Sequence, residues 1–399
     1  MSPKFMMLIL LAMILALQFQ VLKSCVEEER VGLLQFKEFV ESEGYDADHL
    51  FPSWSGDPLS DCCSWERVTC NSSTGRVIQL SLNNTRKYRR CSYDSNCGNN
   101  MGGVIFDNWE GEFQRPRETI PVQDSRNLSK LKELKYLYLS WNAMNKDSMK
   151  FLGSLPSLVY LDLSLNHLEG PLSSVELENL KNLKVLNLYR NYLNGTLPIQ
   201  ELMGFSNLEI LDLSYNNLEG SIPPNIGNLS SLKAFSVARN LLAASLPSGL
   251  CQLKRLQELD LSQNYFEGIL PPCLSNLTFI GLLDVSDNNF SGTLSASLIH
   301  SLTFSWYLDF SYNHFEGSFS LSSFKTHSKL EVLQFASNNG KLQIDTENPP
   351  GWFPSFQLKV LALSNCSLNN HTNSIPNFLR HQFHLQIVDL SHNKCWCKR

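Results

Sequence analysis

A phrase close to Leu-x-x-Leu-x-Leu-Ser-x-Asn returns about every 25 residues between Leu134 and Asn393. It reads LKYLYLSWN at 134–142, LVYLDLSLN at 158–166, LEILDLSYN at 208–216, LQELDLSQN at 256–264 and LQIVDLSHN at 385–393. A fixed period of this length specifies stacked copies of one unit rather than a single globular core. Within the phrase the leucines alternate with other residues, which is strand periodicity. Each unit is therefore expected to lay one short strand parallel to the last. Burying one leucine stabilises by about 1.5–3 kcal/mol, so over the whole array this term dominates. The predicted fold class is an α/β solenoid, a curved horseshoe or superhelix with a parallel sheet on its concave face.

The asparagine ending each phrase turns the chain out of the strand, and its amide is expected to bond backbone groups of neighbouring coils. The column is Asn142, Asn166, Asn191, Asn216, Asn240, Asn264, Asn288, Asn313 and Asn338, then Cys366 and Asn393. Cys366 brings a weaker donor to its rung. Spacing is 24 or 25 up to Asn338 and then 28 and 27, with the extra residues, such as those at 348–351, read as bulges in outer loops. Past the asparagine, NLEGSIPPNIGNLSSL at 217–232 spaces Leu218, Ile222, Ile226, Leu229 and Leu232 to face inward. Gly220 supplies a turn and Pro223 an extended outer segment.

The 399 residues carry a formal charge of −5, and no clustered Lys/Arg face suggests a nucleic-acid partner. The densest basic run, Arg86-Lys87-Tyr88-Arg89-Arg90, reads as a solvated loop. Residues 1–24 read as a secretory signal peptide: Lys4, an apolar run from Phe5 to Leu17, then a polar stretch. That run is shorter than the roughly 20 residues a membrane-spanning helix needs. Eleven cysteines agree with an oxidising compartment. So do nine Asn-x-Ser/Thr sequons, at Asn71, Asn83, Asn127, Asn194, Asn228, Asn276, Asn289, Asn365 and Asn370.

Residues 25–75 form a front module. VGLLQFKEFV at 31–40 places Val31, Leu33, Leu34, Phe36 and Val40 on an apolar helical face, behind Glu27, Glu28 and Glu29 at the positive helix end. Trp54 and Trp65 lie among Cys62, Cys63 and Cys70. A stack needs such a cap over its first apolar edge. Residues 76–85 hold a first degenerate repeat, and 86–126 an excursion in which Cys91 and Cys97 enclose five residues and tie a local loop. Residues 127–399 hold about eleven repeats, the last incomplete.

These residues resemble a known family. LNGTLP at 193–198, LEGSIP at 218–223 and FEGILP at 266–271 are similar to the plant-specific leucine-rich repeat, and Cys25, GLLQFK at 32–37 and DCCSW…C at 61–70 to its N-terminal cap. The resemblance implies pairing of Cys25 with Cys62 and of Cys63 with Cys70. GLCQLKRLQELDLSQNYFEGILPPCLSNLT at 249–278 and VLALSNCSLNN at 360–370 look like the plant receptor-like proteins in particular. Those are cell-surface receptors with one membrane span and no kinase. The resemblance implies a peptide or protein ligand, a co-receptor kinase as partner, and a place on the outer side of the plasma membrane. The sequence shows no span and stops at LSHNKCWCKR, which predicts a piece of a longer chain; if it is finished, the place is the apoplast.

Outward columns on the strands offer the candidate sites. Asp162, Asp212, Asp260, Asp284, Asp309 and Asp389 form a stripe, read as ordinary solvated aspartate in preference to a site for a basic peptide. The column before the asparagine varies more: Trp141, Leu165, Arg190, Tyr215, Arg239, Gln263, Asp287, Tyr312, Ser337 and His392. Trp, Tyr and Arg anchor interfaces most often. Ligand contact is therefore expected at Trp141, Tyr189, Arg190, Tyr215, Arg239, Gln263, Asp287 and Tyr312, centred on the basic-aromatic patch of Tyr189, Arg190, Tyr215 and Arg239. Cys251 and Cys273 lie on the outer side of adjacent coils and either bridge them or stay two buried thiols. Cys395-x-Cys397 is too short for a metal site by itself. No Gly-rich phosphate loop, HExxH or GxSxG occurs, so neither a catalytic site nor a cofactor is expected. The leading expectation is a receptor ectodomain that binds its ligand on the concave face and acts in defence or development. The alternative is a freely secreted inhibitor of a pathogen wall-degrading enzyme, similar to polygalacturonase-inhibiting proteins.

Overall fold

The computed structural model describes residues 25–43, 46–83, 126–142, 144–172, 177, 179–347, 349–370, 372 and 374–393. The expected signal peptide, the Cys91–Cys97 loop, the basic run at 86–90 and Cys395-x-Cys397 lie outside the described residues. Two compact units divide the chain: one holds the described residues up to Glu169 together with those of 173–186, the other holds Gly170–Leu172 and everything from Asn187 on.

The first unit opens with helix α1 (Glu27–Ser42). Leu33, Phe36 and Val40 are fully buried, while Val31 and Leu34 are only half-buried. An aromatic pile continues from them, with Phe36 against Phe51 at 6.0 Å, Phe51 on Trp54 at 4.4 Å and Trp54 on Trp65 at 5.7 Å. Disulfides Cys25–Cys62 and Cys63–Cys70 fasten the helix start and the following turn to a hairpin. The hairpin pairs β1 (Val68–Cys70) with β2 (Val77–Ser81) antiparallel. From β2 onward pairing is parallel, to β3 (Tyr136–Tyr138) and then β4 (Tyr160–Asp162). One of the three leading glutamates does more than face the helix end. Glu29 is fully buried, and its carboxylate accepts Val77 N–H at 2.8 Å and the Arg76 guanidinium at 3.3 Å.

The second unit stacks β5 (Ile210–Asp212), β6 (Ala234–Ser236), β7 (Glu258–Asp260), β8 (Leu282–Asp284), β9 (Tyr307–Asp309), β10 (Val332–Gln334), β11 (Val360–Ala362) and β12 (Ile387–Asp389). All pair parallel and in register. The central residues of β5 to β11, such as Leu211, Phe235, Leu259 and Leu308, are buried, as alternation requires, whereas Val388 at the centre of β12 is 47% exposed. Leu218, Ile222, Ile226, Leu229 and Leu232 all face inward as expected. Phe266, Phe290 and Phe315 stack through successive coils at 6.1 and 6.4 Å.

A second parallel ladder follows the turns as far as the one at Asn338, which the sequence reading did not anticipate. Within this unit it runs through Tyr192–Thr196, Asn217–Gly220, Leu241–Ala244, Tyr265–Gly268, Asn289–Thr293, His314–Ser320 and Leu342–Asp345. Gly220 therefore ends a strand, with φ 82°. Pro223 is extended (φ −73°, ψ 148°) and leads into a 3-10 turn at Pro224–Asn228. Similar turns recur at Ser248–Gln252 and Pro272–Asn276. A disulfide joins those two turns through Cys251 and Cys273. The coils approach closely here: a Cβ on Gly249 would lie 1.8 Å from the Pro224 carbonyl oxygen.

The asparagine amides knit the stack as expected. Asn264 donates to Val237 O at 2.9 Å, Leu261 O at 3.2 Å and Ser262 O at 3.0 Å, and its Oδ1 accepts Leu242 N–H at 3.0 Å. Asn216, Asn240, Asn288 and Asn313 repeat that pattern. Asn338 does not: it is exposed and forms no rung. The chain bends out early there, through Asn339 and a left-handed Gly340 (φ 64°), so the expected column is interrupted at this position. Cys366 resumes it, its thiol donating to Phe335 O and Ser364 O.

Candidate functional site

The open face of the first sheet carries the outward residues of each strand. Three of the six aspartates on it differ from expectation, while Asp162, Asp212 and Asp389 are half-buried. Asp260, Asp284 and Asp309 are buried, at 3, 8 and 7% exposure, rather than solvated. Strands about 4.8 Å apart bring neighbouring rows over a short side chain. Each carboxylate caps the turn beside it: Asp260 accepts the Ser262 N–H at 3.0 Å and hydroxyl at 2.7 Å, and Asp284 takes the same groups of Ser286 at 2.9 and 2.6 Å. Asp309 accepts Ser311 N–H at 2.8 Å. The aspartate of this repeat is thus a turn-forming residue first.

Burial disfavours the charged form of these groups. It pushes the Asp260 carboxyl up to about 6 and Asp284, which also feels the Asp260 charge, to about 7. Asp309 is raised well above the usual range for the same two reasons, burial and the Asp284 charge. Tyr307 donates to Asp284 Oδ2 at 3.2 Å, and Gln334 to Asp309 Oδ2 at 2.8 Å. On the same strand face as Asp260 lies Glu258, 6% exposed, whose Oε2 has no partner among the described residues. Burial raises its carboxyl to about 7. The sequence did carry a signal for it: Glu258 is the one acid at its position in the strands of this unit.

The variable column has a conformation the sequence did not reveal. Trp141, Leu165, Arg190, Tyr215, Arg239, Gln263, Asp287, Tyr312, Asn365 and His392 all sit in the left-handed region, at φ 52–60°. This region costs an L-residue about 1–2 kcal/mol. Hydrogen bonds to the next coil hold it: Tyr215 N–H donates to Ala238 O at 2.8 Å, Arg239 N–H to Ser262 O at 2.9 Å and Gln263 N–H to Ser286 O at 2.9 Å. Ser337 is not part of this left-handed column, and Asn365 joins it. Such backbone bonds hold eight of the ten, all but Leu165 and His392, at positions where the side chain is free to vary.

Within the second unit, the basic-aromatic patch assembles. Tyr189 meets Tyr215 edge-on at 5.0 Å, and the Arg239 guanidinium lies 4.7 Å over the Tyr215 ring. Arg190 stands exposed beside them, and Asp212 remains in the neighbouring strand. Gln263, Asp287 and Tyr312 continue the column, with Tyr312 54% exposed. Trp141 belongs to the first unit and is not part of this patch.

The geometry agrees with relatives. Residues 26–71 match the leucine rich repeat N-terminal domain, and 207–229 and 255–277 match the leucine rich repeat. Receptor-like protein 14 of Arabidopsis thaliana is 37% identical over 177 residues, covering 42% of this chain and 17% of that protein. Among solved structures, a TDR receptor is 31% identical with a TM-score of 0.54, covering 67% of this chain and 44% of that one. The Arabidopsis receptor kinase HAESA, in complex with the peptide hormone IDA and the co-receptor SERK1, has a TM-score of 0.66 at 23% identity. It covers 92% of this chain and 54% of that one, and shows the fold. Cap, parallel ladder and asparagine rungs define a leucine-rich-repeat protein with a disulfide-stapled N-terminal cap. Within that class the sequence groups with the plant leucine-rich-repeat receptor-like proteins. The chain spans less than a fifth of the length of the curated relatives it matches.

Proposed function

We propose that this chain is ligand-recognising ectodomain of a plant cell-surface receptor-like protein. In this reading it binds a peptide or protein on the open strand face and signals through a partner kinase. The observation that carries the reading is the Tyr189–Tyr215–Arg239 stack, an aromatic-guanidinium surface standing on backbone fixed by inter-strand hydrogen bonds. Such pre-set anchors lose little freedom on binding. The reading is of a binding surface, not a catalytic one. Among the described residues no helix is long and apolar enough to cross a membrane.

Glycan placement supports the same face. Of the nine sequons, Asn194, Asn228, Asn276 and Asn289 are exposed. Asn194 and Asn289 lie on the second ladder, and Asn228 and Asn276 on the 3-10 turns. Sugars on these four leave the strand face bare. Asn365 has its Nδ2 held by Ser337 O at 2.8 Å and is proposed to stay unmodified.

The experiment is selection of a displayed random-peptide library on the secreted chain, repeated on Tyr215→Ala and Arg239→Glu. The expected result is enriched sequences whose affinity falls about tenfold or more in either variant. Enriched peptides that bind both variants as well as the parent would place recognition elsewhere and overturn this assignment.

A further inference from the structure

Beside Ser337, next to the interruption at Asn338, the second unit holds a cleft of about 480 Å³, separate from the aromatic-guanidinium patch. Tyr312, Ser337, Ser364, Asn365, Asp389 and His392 line it. Its chemistry differs from that of an ordinary ligand pocket, which is walled mainly by hydrophobic side chains. Here no aliphatic residue contributes to the wall. One exposed ring, that of Tyr312, forms a shelf. Around it stand hydroxyls, an amide, an imidazole and one carboxylate.

Several of those groups have spare capacity. Asp389 Oδ1 accepts Ser391 N–H at 2.9 Å, which leaves Oδ2 without a partner among the described residues. The Tyr312 and Ser364 hydroxyls and the His392 ring likewise have no hydrogen-bond partner among them. Asn365 is fixed by its Nδ2 bond to Ser337 O, so its Oδ1 is held in place as an acceptor. Hydroxyls and imidazole each donate and accept, whereas a carboxylate only accepts. A ligand matching this set carries many groups that both donate and accept, together with a C–H face to lay on a ring. That describes a sugar. The lone carboxylate disfavours an anionic one, and the missing aliphatic wall disfavours an apolar peptide side chain.

We propose that this cleft binds a neutral saccharide unit stacked on Tyr312, with Asp389 and Ser364 taking its hydroxyls. The test is calorimetric titration of the secreted full chain with cellotetraose and xylotetraose, and with tetragalacturonate as the anionic counterpart. Saturable binding of a neutral oligosaccharide is expected with a Kd on the order of 1 mM or below. Tyr312→Ala should weaken it by about tenfold or more and Asp389→Asn by about threefold, while Tyr215→Ala should leave it unchanged. Tyr312 is exposed and its backbone is held by neighbouring coils, so the variant keeps the fold, which circular dichroism verifies. No saturation by either neutral sugar up to about 20 mM would overturn the proposal. So would equal or tighter binding of tetragalacturonate, indifference to Tyr312→Ala, or a glycan found on Asn365 by mass spectrometry, since that glycan would itself fill the cleft. The Tyr215→Ala arm separates this site from the peptide surface, so either assignment can fail alone.

Discussion

Two stretches of the second unit are written in the same phrase and are held differently. From Asn216 to Asn313 every turn asparagine is buried and reaches back to a carbonyl of the coil before it. From Val332 to Asn393 the units lengthen to 28 and 27 residues, Asn338 faces solvent, and a thiol stands in at Cys366. Yet Leu333, Phe335 and Leu361 remain buried in the second stretch. Leucine burial is therefore enough to stack a coil, whereas the amide rung fixes how its turn leaves the strand. Where the rung is absent the turn departs early, next to the cleft that Ser337 lines.

The largest test of that contrast is a pair of identical substitutions. Asn264→Ala removes four hydrogen bonds and strands buried backbone groups, each worth about 1–3 kcal/mol when unpaired. A loss of about 4 kcal/mol is expected, read from urea unfolding. Asn338→Ala should cost under about 0.5 kcal/mol. Equal losses would break the distinction between the two stretches.

Next comes the acid cluster of the regular stretch. Glu258 rises from 4.5 to about 7 on folding, so the folded chain holds the extra proton between those values. Stability then falls as pH rises from about 4.5 to 7 and is flat above. Asp260 and Asp284 act with the same sign. His327, whose imidazole burial pushes below its ordinary value, acts oppositely, losing stability as pH falls through about 6.5. The carboxyls outnumber it, so the melting temperature should be higher at about pH 5 than at about pH 7.5. Glu258→Gln should shrink that difference and add about 2 kcal/mol at the higher pH. An unchanged slope in differential scanning calorimetry would remove Glu258 from the account.

Two smaller substitutions sharpen the comparison by repair. Cys366→Asn restores the amide to the irregular stretch and should gain about 1 kcal/mol in the same urea titration. A loss would mean that the coil has rebuilt itself around the thiol. Ala244 (φ 69°) occupies the place that Gly220 and Gly268 fill in neighbouring coils. Ala244→Gly should relieve a left-handed alanine and gain about 0.5–1 kcal/mol, after the entropy glycine adds to the unfolded chain. Thermal unfolding reads it, and destabilisation would show that the backbone there is not strained.

Much of this stack was legible in the leucine and asparagine spacing, because both report directly on alternation and on turns. The cap disulfides followed from resemblance, since spacing alone leaves cysteine pairing open. What escaped depends on neighbours three-dimensional stacking supplies. The aspartates looked solvated because nothing local shows that adjacent rows cover them. The second ladder hid because Asn217–Gly220 carries one inward side chain and a glycine, too few to display a period. Asn338 kept the asparagine of its phrase, and only Phe335-Ala336 in place of Leu-Ser before it and the longer unit after it hinted that the turn would leave elsewhere. The basic-aromatic patch was read from residue type, but the stacking of Arg239 on Tyr215 needs the register of two coils.

The left-handed column has a practical consequence. Main-chain bonds fix its geometry, and tryptophan, arginine, aspartate and tyrosine all occupy it, so the scaffold tolerates whatever side chain is placed there. Randomising Arg190, Tyr215, Arg239, Gln263 and Asp287 together would diversify a row about 24 residues apart in sequence and one strand apart in space. Evolution of new recognition in such a chain need not wait for compensating changes underneath.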